Sequence, residues 1–174
     1  ICAYESSTLT MTSCTLSGNT VESYSDYSFG GAIYITRSST LEMTSCALSG
    51  NTASDRGGAI YADERSTLTM TSCTLSSNNA SYGGAISVAT SSTLMMTLCT
   101  LSGNTVDDFY DAADDYYDDD YYDDTYSGGT SCDRMGGAIY AKSSSTLTMT
   151  SCTLSGNTVD SNSGDSSGGA IYIT

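Results

Sequence analysis

The chain has 174 residues, a net charge of −15, and neither His nor Pro nor Trp. Five Lys and Arg residues cannot form the basic surface that a nucleic-acid backbone requires, and the commonest general base and metal ligand is missing. No run of about 18 apolar residues is available to span a bilayer.

Leu, Ile, Val and Phe make up only about 14 % of the chain, a composition that ordinarily marks disorder. These residues are not scattered, however. They recur at fixed columns, so stacked repeats can bury together what one repeat could not.

In chain order, the first element opens each repeat. Ile1, Ile33, Ile60, Ile86, Ile139 and Ile171 form one column, and Ala3, Ile35, Ala62, Val88, Ala141 and Ile173 follow two residues later. Period two is the signature of a strand. From the second copy onward the strand is preceded by Gly-Gly-Ala, beginning at Gly30, Gly57, Gly83, Gly136 and Gly168.

The second element pairs Leu9, Leu41, Leu68, Leu94 and Leu147 with Met11, Met43, Met70, Met96 and Met149. It is again an alternating strand, with Thr at most intervening positions. The third pairs Cys14, Cys46, Cys73, Cys99 and Cys152 with Leu16, Leu48, Leu75, Leu101 and Leu154. Between Met and Cys the phase slips by an odd number of residues, which would turn the side chains to the other face unless the chain bends. A corner is therefore expected near Ser13, Ser45, Ser72, Leu98 and Ser151. Asn19, Asn51, Asn78, Asn104 and Asn157 close the repeat.

Successive Leu columns lie 32, 27, 26 and 53 residues apart. The excess over 26 falls between the Asn column and the next Gly-Gly, so insertions occupy one corner, as a solenoid tolerates. The expectation is an all-β parallel solenoid of about five coils, each of three short strands. It forms a single domain over residues 1–174 with a long acidic insert loop at 105–135. The start at Ile1 and the stop inside the repeat suggest a piece processed from a longer chain.

Gly-Gly-Ala-Ile paired with Leu-x-x-Asn, as in Leu16-Ser-Gly-Asn19, resembles the polymorphic membrane protein repeat of chlamydial autotransporter adhesins. Leu stands where that family usually has Phe. The resemblance implies a right-handed parallel β-helix of the surface-adhesin type.

Several columns and segments are candidates for function. The Asn column reads as a ladder of side-chain amides hydrogen-bonding between coils. The stacked Cys read as small core residues, since side chains pointing the same way at strand spacing lie too far apart for a disulfide. Cys2 and Cys132 fall outside that column and are candidate cross-links. Tyr34, Tyr61, Tyr140 and Tyr172 share an outward column, expected to be an exposed interface. Asn79-Ala80-Ser81 is the one match to the N-glycosylation pattern, expected in a loop.

The insert carries Asp107, Asp108, Asp111, Asp114, Asp115, Asp118, Asp119, Asp120, Asp123 and Asp124, interleaved with Tyr pairs. Like charges this dense repel. Ca²⁺ is the natural neutraliser, with no EF-hand spacing, so the sites would be weak.

The expected function is structural: an extracellular, cell-surface filament, appendage or adhesin. Its partner would be a second copy stacked head to tail through the strands at Ile1, Ile171 and Ile173, or the continuation of the same chain. The alternative is a Ca²⁺- or glycan-binding surface module acting through the Asp/Tyr-rich loop. An ice-binding Thr grid and a polysaccharide lyase are weaker alternatives. The outward strand positions that a lyase would load with Asp and a base hold Tyr, Thr and Ser, so no enzyme activity and no required cofactor are expected.

Overall fold

The computed structural model describes residues 1–22, 28–107, 134–160 and 166–174. Every strand is parallel to its neighbours and pairs with its equivalent in the next coil. A first ladder has six rungs: Cys2–Ala3, Ile33–Ile35, Ile60–Ala62, Ile86–Val88, Ile139–Ala141 and Ile171–Ile173. The second has five: Thr8–Thr12, Thr40–Thr44, Thr67–Thr71, Thr93–Thr97 and Thr146–Thr150. The third stacks Thr15–Ser17, Ala47–Ser49, Thr74–Ser76, Thr100–Ser102 and Thr153–Ser155.

The structure adds a fourth ladder to the three expected: Thr20–Val21, Thr52–Ala53, Asn79–Ala80, Thr105–Val106 and Thr158–Val159. Two-residue strands carry only one inward side chain, too few for alternation to register in a sequence. This ladder also moves Asn79 from the expected loop into a strand.

The registers are those of the columns. Leu68 lies between Leu41 and Leu94, and Met70 between Met43 and Met96. The inward columns form one continuous core in which Ile33, Leu41, Leu48, Ile60, Leu68, Leu75, Ile86, Leu94 and Leu101 are all fully buried. In the first and last coils the same columns are only partly covered, at Leu9, Met11 and Leu16 and at Leu147, Met149 and Leu154.

The corners explain why these sequences turn. After the first ladder, two successive residues take positive φ, as at Arg37 and Ser38 (54° and 62°) or Glu64 and Arg65 (49° and 62°). Left-handed backbone is unfavourable for L-residues. Here each turn is held by the next, with Ser38 N–H donating to the Glu64 carbonyl and Arg65 N–H to the Thr90 carbonyl, both at 2.9 Å. The corner expected at Ser13, Ser45, Ser72, Leu98 and Ser151 is present, each at φ of 53–55°.

The Gly-Gly corner has a steric cause. Gly57 has φ +67°, and a Cβ on Gly58 would lie 2.1 Å from the Gly84 carbonyl oxygen of the next coil. Only glycine allows backbone to approach backbone this closely.

Candidate functional site

The rod has two chemically different sides. On the side formed by the second and third ladders and their corners, residues 7–20, 39–52, 66–79, 92–105 and 145–158, Glu42 is the single charged residue. All other Lys, Arg, Asp and Glu residues lie on the first-ladder side or in the segments between the Asn column and Gly-Gly.

The interior polar column is closed upon itself. Asn78 Nδ2 donates to Asn104 Oδ1 at 2.9 Å and to the Leu48 carbonyl of the preceding coil at 3.1 Å. Its backbone N–H also reaches Asn104 Oδ1 at 3.0 Å, while its own Oδ1 accepts from Asn51 Nδ2 and N–H. Asn51, Asn78 and Asn104 are fully buried. The ladder is therefore richer than a chain of amide-to-carbonyl bonds, because each side chain spans three coils.

The stacked cysteines pack in the core at Cys46, Cys73 and Cys99 and against it at Cys14 and Cys152, and the six described cysteines carry free thiols. The Cys73 Sγ donates to the Thr71 carbonyl two residues back at 3.4 Å, and Cys99 repeats this with Thr97. A hydrogen bond with Cys99, reinforced by burial, holds the Cys73 thiol well above the usual thiol range. Among the described residues no group of three or more His, Cys, Asp or Glu is arranged to hold a metal.

The Tyr column is where the structure departs most from the sequence reading. Tyr61 and Tyr140 are 1 % and 6 % exposed, and Tyr34 and Tyr172 are half-buried, so the row is not an open interface. The reason is a second layer. Phe29, Arg56 and Tyr82 each stand one residue before a Gly-Gly and bridge to one another in parallel fashion, with Met135 next in line. The Phe29 ring centroid is 4.6 Å from Tyr61 and 5.8 Å from Tyr34, and Tyr82 packs on Tyr140 at 5.4 Å. Ser87 takes the place of Tyr in the intervening coil and is fully covered. The signal was a bulky residue at a constant offset before Gly-Gly, in segments of otherwise unequal length.

Arg56 threads this layer. Its guanidinium lies 5.7 Å from the Phe29 ring and 5.8 Å from that of Tyr82, and 3.6 Å from Asp55. Burial disfavours its cation, but Asp55 and a hydrogen bond with Tyr61 outweigh that and raise its pKa. The Tyr61 hydroxyl donates to Asp63 Oδ2 at 3.0 Å. Burial, and then the Asp63 charge, push this phenol well above its usual range. Burial, followed by the Arg56 charge, lowers the Lys142 pKa.

At the first corner, an open groove of about 760 Å³ is lined by Glu5, Arg37, Glu64 and Arg65 among others. Arg37 sits between Glu5 at 3.3 Å and Glu64 at 3.4 Å, and over the Tyr4 ring at 4.4 Å. These pairs are about half exposed, as on a solvated face.

The remaining candidates divide plainly. Asn79 is half-buried, and Ser81 Oγ donates to the Ser54 carbonyl at 2.8 Å. Cys2 is exposed at the edge of the first ladder. Ile1 and Ile173 are 59 % and 61 % exposed, and Ile171 is half-buried. Asp107 is exposed. Asp108, Asp111, Asp114, Asp115, Asp118, Asp119, Asp120, Asp123, Asp124 and Cys132 lie outside the described residues.

Stacked coils of parallel strands around a continuous buried core define a parallel β-helix. The family described as the right handed beta helix region matches residues 1–122, and the chain belongs to that family. Residues 151–174 also match the Chlamydia polymorphic membrane protein repeat, to which this stretch is therefore similar. No curated protein and no solved structure matches the chain.

Proposed function

We propose that this chain is a non-catalytic structural segment of an extracellular, cell-surface protein, a rigid rod within a filament, appendage or adhesin. The observation that carries this reading is the unbroken register of the ladders around one continuous core. Such a stack resists bending, because every backbone hydrogen bond between coils runs along the rod. The similarity of residues 151–174 to a repeat of Chlamydia membrane proteins supports a surface location.

In this reading the partly covered Leu and Met columns of the first and last coils, with Ile1 and Ile173, take a further coil on each face. That coil belongs to a second copy stacked head to tail or to the same polypeptide. Open strand edges favour such pairing, and head-to-tail contacts produce filaments rather than closed rings. Negative-stain microscopy with light scattering tests the first arrangement. Filaments whose length grows with concentration are expected, and monodisperse short rods at every concentration would reject self-assembly.

The second reading, display of a Ca²⁺- or glycan-binding insert, is favoured by how the insert is anchored. Asp107 N–H donates to the Ala80 carbonyl at 3.2 Å on one side. On the other, Arg134 is buried, with Nη1 donating to the Asp160 carbonyl at 2.9 Å. Both ends are thus fixed to the rod. Calorimetry with CaCl₂, before and after deletion of residues 108–133, tests it. Heat of binding that disappears with the deletion is expected, and identical titrations would reject it.

A further inference from the structure

The outward face of the second ladder is a regular hydroxyl lattice. Five strands of five residues stand in register, and thirteen of the fifteen outward positions are Thr. The exceptions are Glu42 in the second coil and Met95 in the fourth. All fifteen are exposed or half-exposed. Rows repeat at about 4.8 Å between coils, and columns at roughly 6.7 Å, twice the rise per residue.

Three properties narrow what this face can meet. It is nearly uncharged on a chain of net charge −15, so the acidic residues have been kept off it. It is rigid, because its backbone is hydrogen-bonded on both sides in the three central coils, and β-branching restricts each Thr at χ1. It is also small and shallow: five rows of five residues cover roughly 400 Å², against the ~800 Å² per partner of a stable protein interface. A second protein is therefore poorly accommodated. The face has no aromatic ring on which a sugar could stack, since its outward residues are Thr, Glu42 and Met95. The groove lies at the first corner, beyond this face.

A regular, nearly uncharged array of hydroxyls and methyls at these two repeats suits a partner that is itself a lattice. We propose that the second-ladder face binds ice. The repeats are near those of oxygen atoms on a prism plane of hexagonal ice. Hydroxyls on a fixed backbone order the bridging water before contact, so little immobilisation entropy remains to be lost on adsorption. This proposal is independent of the structural role, because it uses the side of the rod and not its ends.

The test is ice-affinity partitioning, together with thermal hysteresis and crystal habit in a nanolitre osmometer. The whole chain is expected to enter the ice fraction and to facet growing crystals. Thr69→Lys, at the centre of the grid, is expected to lose most of this activity with an unchanged melting curve by circular dichroism. Glu42→Thr combined with Met95→Thr completes the lattice and is expected to raise the activity, an outcome that a purely structural role does not produce. Arg65→Ser, outside the grid, is expected to leave it unchanged. Exclusion of the chain from ice, indifference to Thr69→Lys, a loss in the completed-grid variant, or retention on crystalline cellulose in place of ice would each overturn the proposal.

Discussion

The two sides of the rod are built from the same coil yet obey different rules. On the Thr side each row repeats its neighbour almost letter for letter, because no described segment lies over it and every coil makes the same contacts with the one below. On the first-ladder side the Asn-to-Gly offsets are 11, 6, 5, 32 and 11 positions, and each coil receives its own cover: Phe29 over Tyr34 and Tyr61, Tyr82 on Tyr140, Arg56 between them. Repetition therefore marks where a residue serves the stack, and variation marks where insertions add a second layer. Function confined to the rod should be sought on the uniform side, and individual recognition on the varied one.

Four tests would sharpen or break that contrast. The largest effect is expected at the Gly-Gly corner, which feeds the covered side. Gly58→Ala drives a Cβ to 2.1 Å from the Gly84 carbonyl oxygen and should cost more than about 4 kcal/mol, read as loss of the cooperative melt. Asn78→Ala comes next. It leaves the Asn51 N–H without an acceptor in the interior and takes the side-chain donor away from the Leu48 carbonyl and from Asn104 Oδ1, which keeps only the backbone N–H of residue 78, and about 3 kcal/mol is expected by urea denaturation.

The third prediction compares the sides directly. Arg56→Ala removes the cation packed between Phe29 and Tyr82 and should cost about 1–3 kcal/mol, whereas Thr69→Ala should stay within about 0.5 kcal/mol. Equal effects in the two variants would dissolve the distinction.

The smallest effect is a pH dependence. Tyr34, Tyr61 and Tyr140 have pKa values raised in the fold by burial. Below the unfolded phenol pKa of about 10 both states are protonated and this contribution is fully present. As pH rises above it, the unfolded chain ionises first, so stability falls progressively through the folded values. A melting temperature that declines above about pH 10 is expected, with Tyr61→Phe flattening the decline. An unaltered slope in that variant would place the titrating groups elsewhere.

Much of the rod was legible in the letters. Ile60, Leu68, Met70, Cys73 and Leu75 were assigned to an interior stack from their columns, and all five are at most 1 % exposed. The corner at Ser72 followed from an odd phase slip and appears as a φ of 54°. These assignments succeed because each coil buries the same columns against its neighbour, so the packing partner of a residue is the same letter one repeat away.

Other features depended on contacts that no column records. Alternation placed Tyr61 and Tyr140 outward, correctly, but outward is exposed only when nothing folds over it. Whether Phe29, Arg56 and Tyr82 do so depends on segments of unequal length returning to one line before each Gly-Gly. Asn79 entered a strand because a two-residue rung needs only its neighbours at Thr52 and Thr105 to hold it, not a pattern of its own. The repeat by itself determined the coil, its core and its corners, since those contacts join like residues at fixed separation. Only the tertiary structure decided which outward residues meet water, because that rests on contacts between unlike segments whose lengths differ from coil to coil.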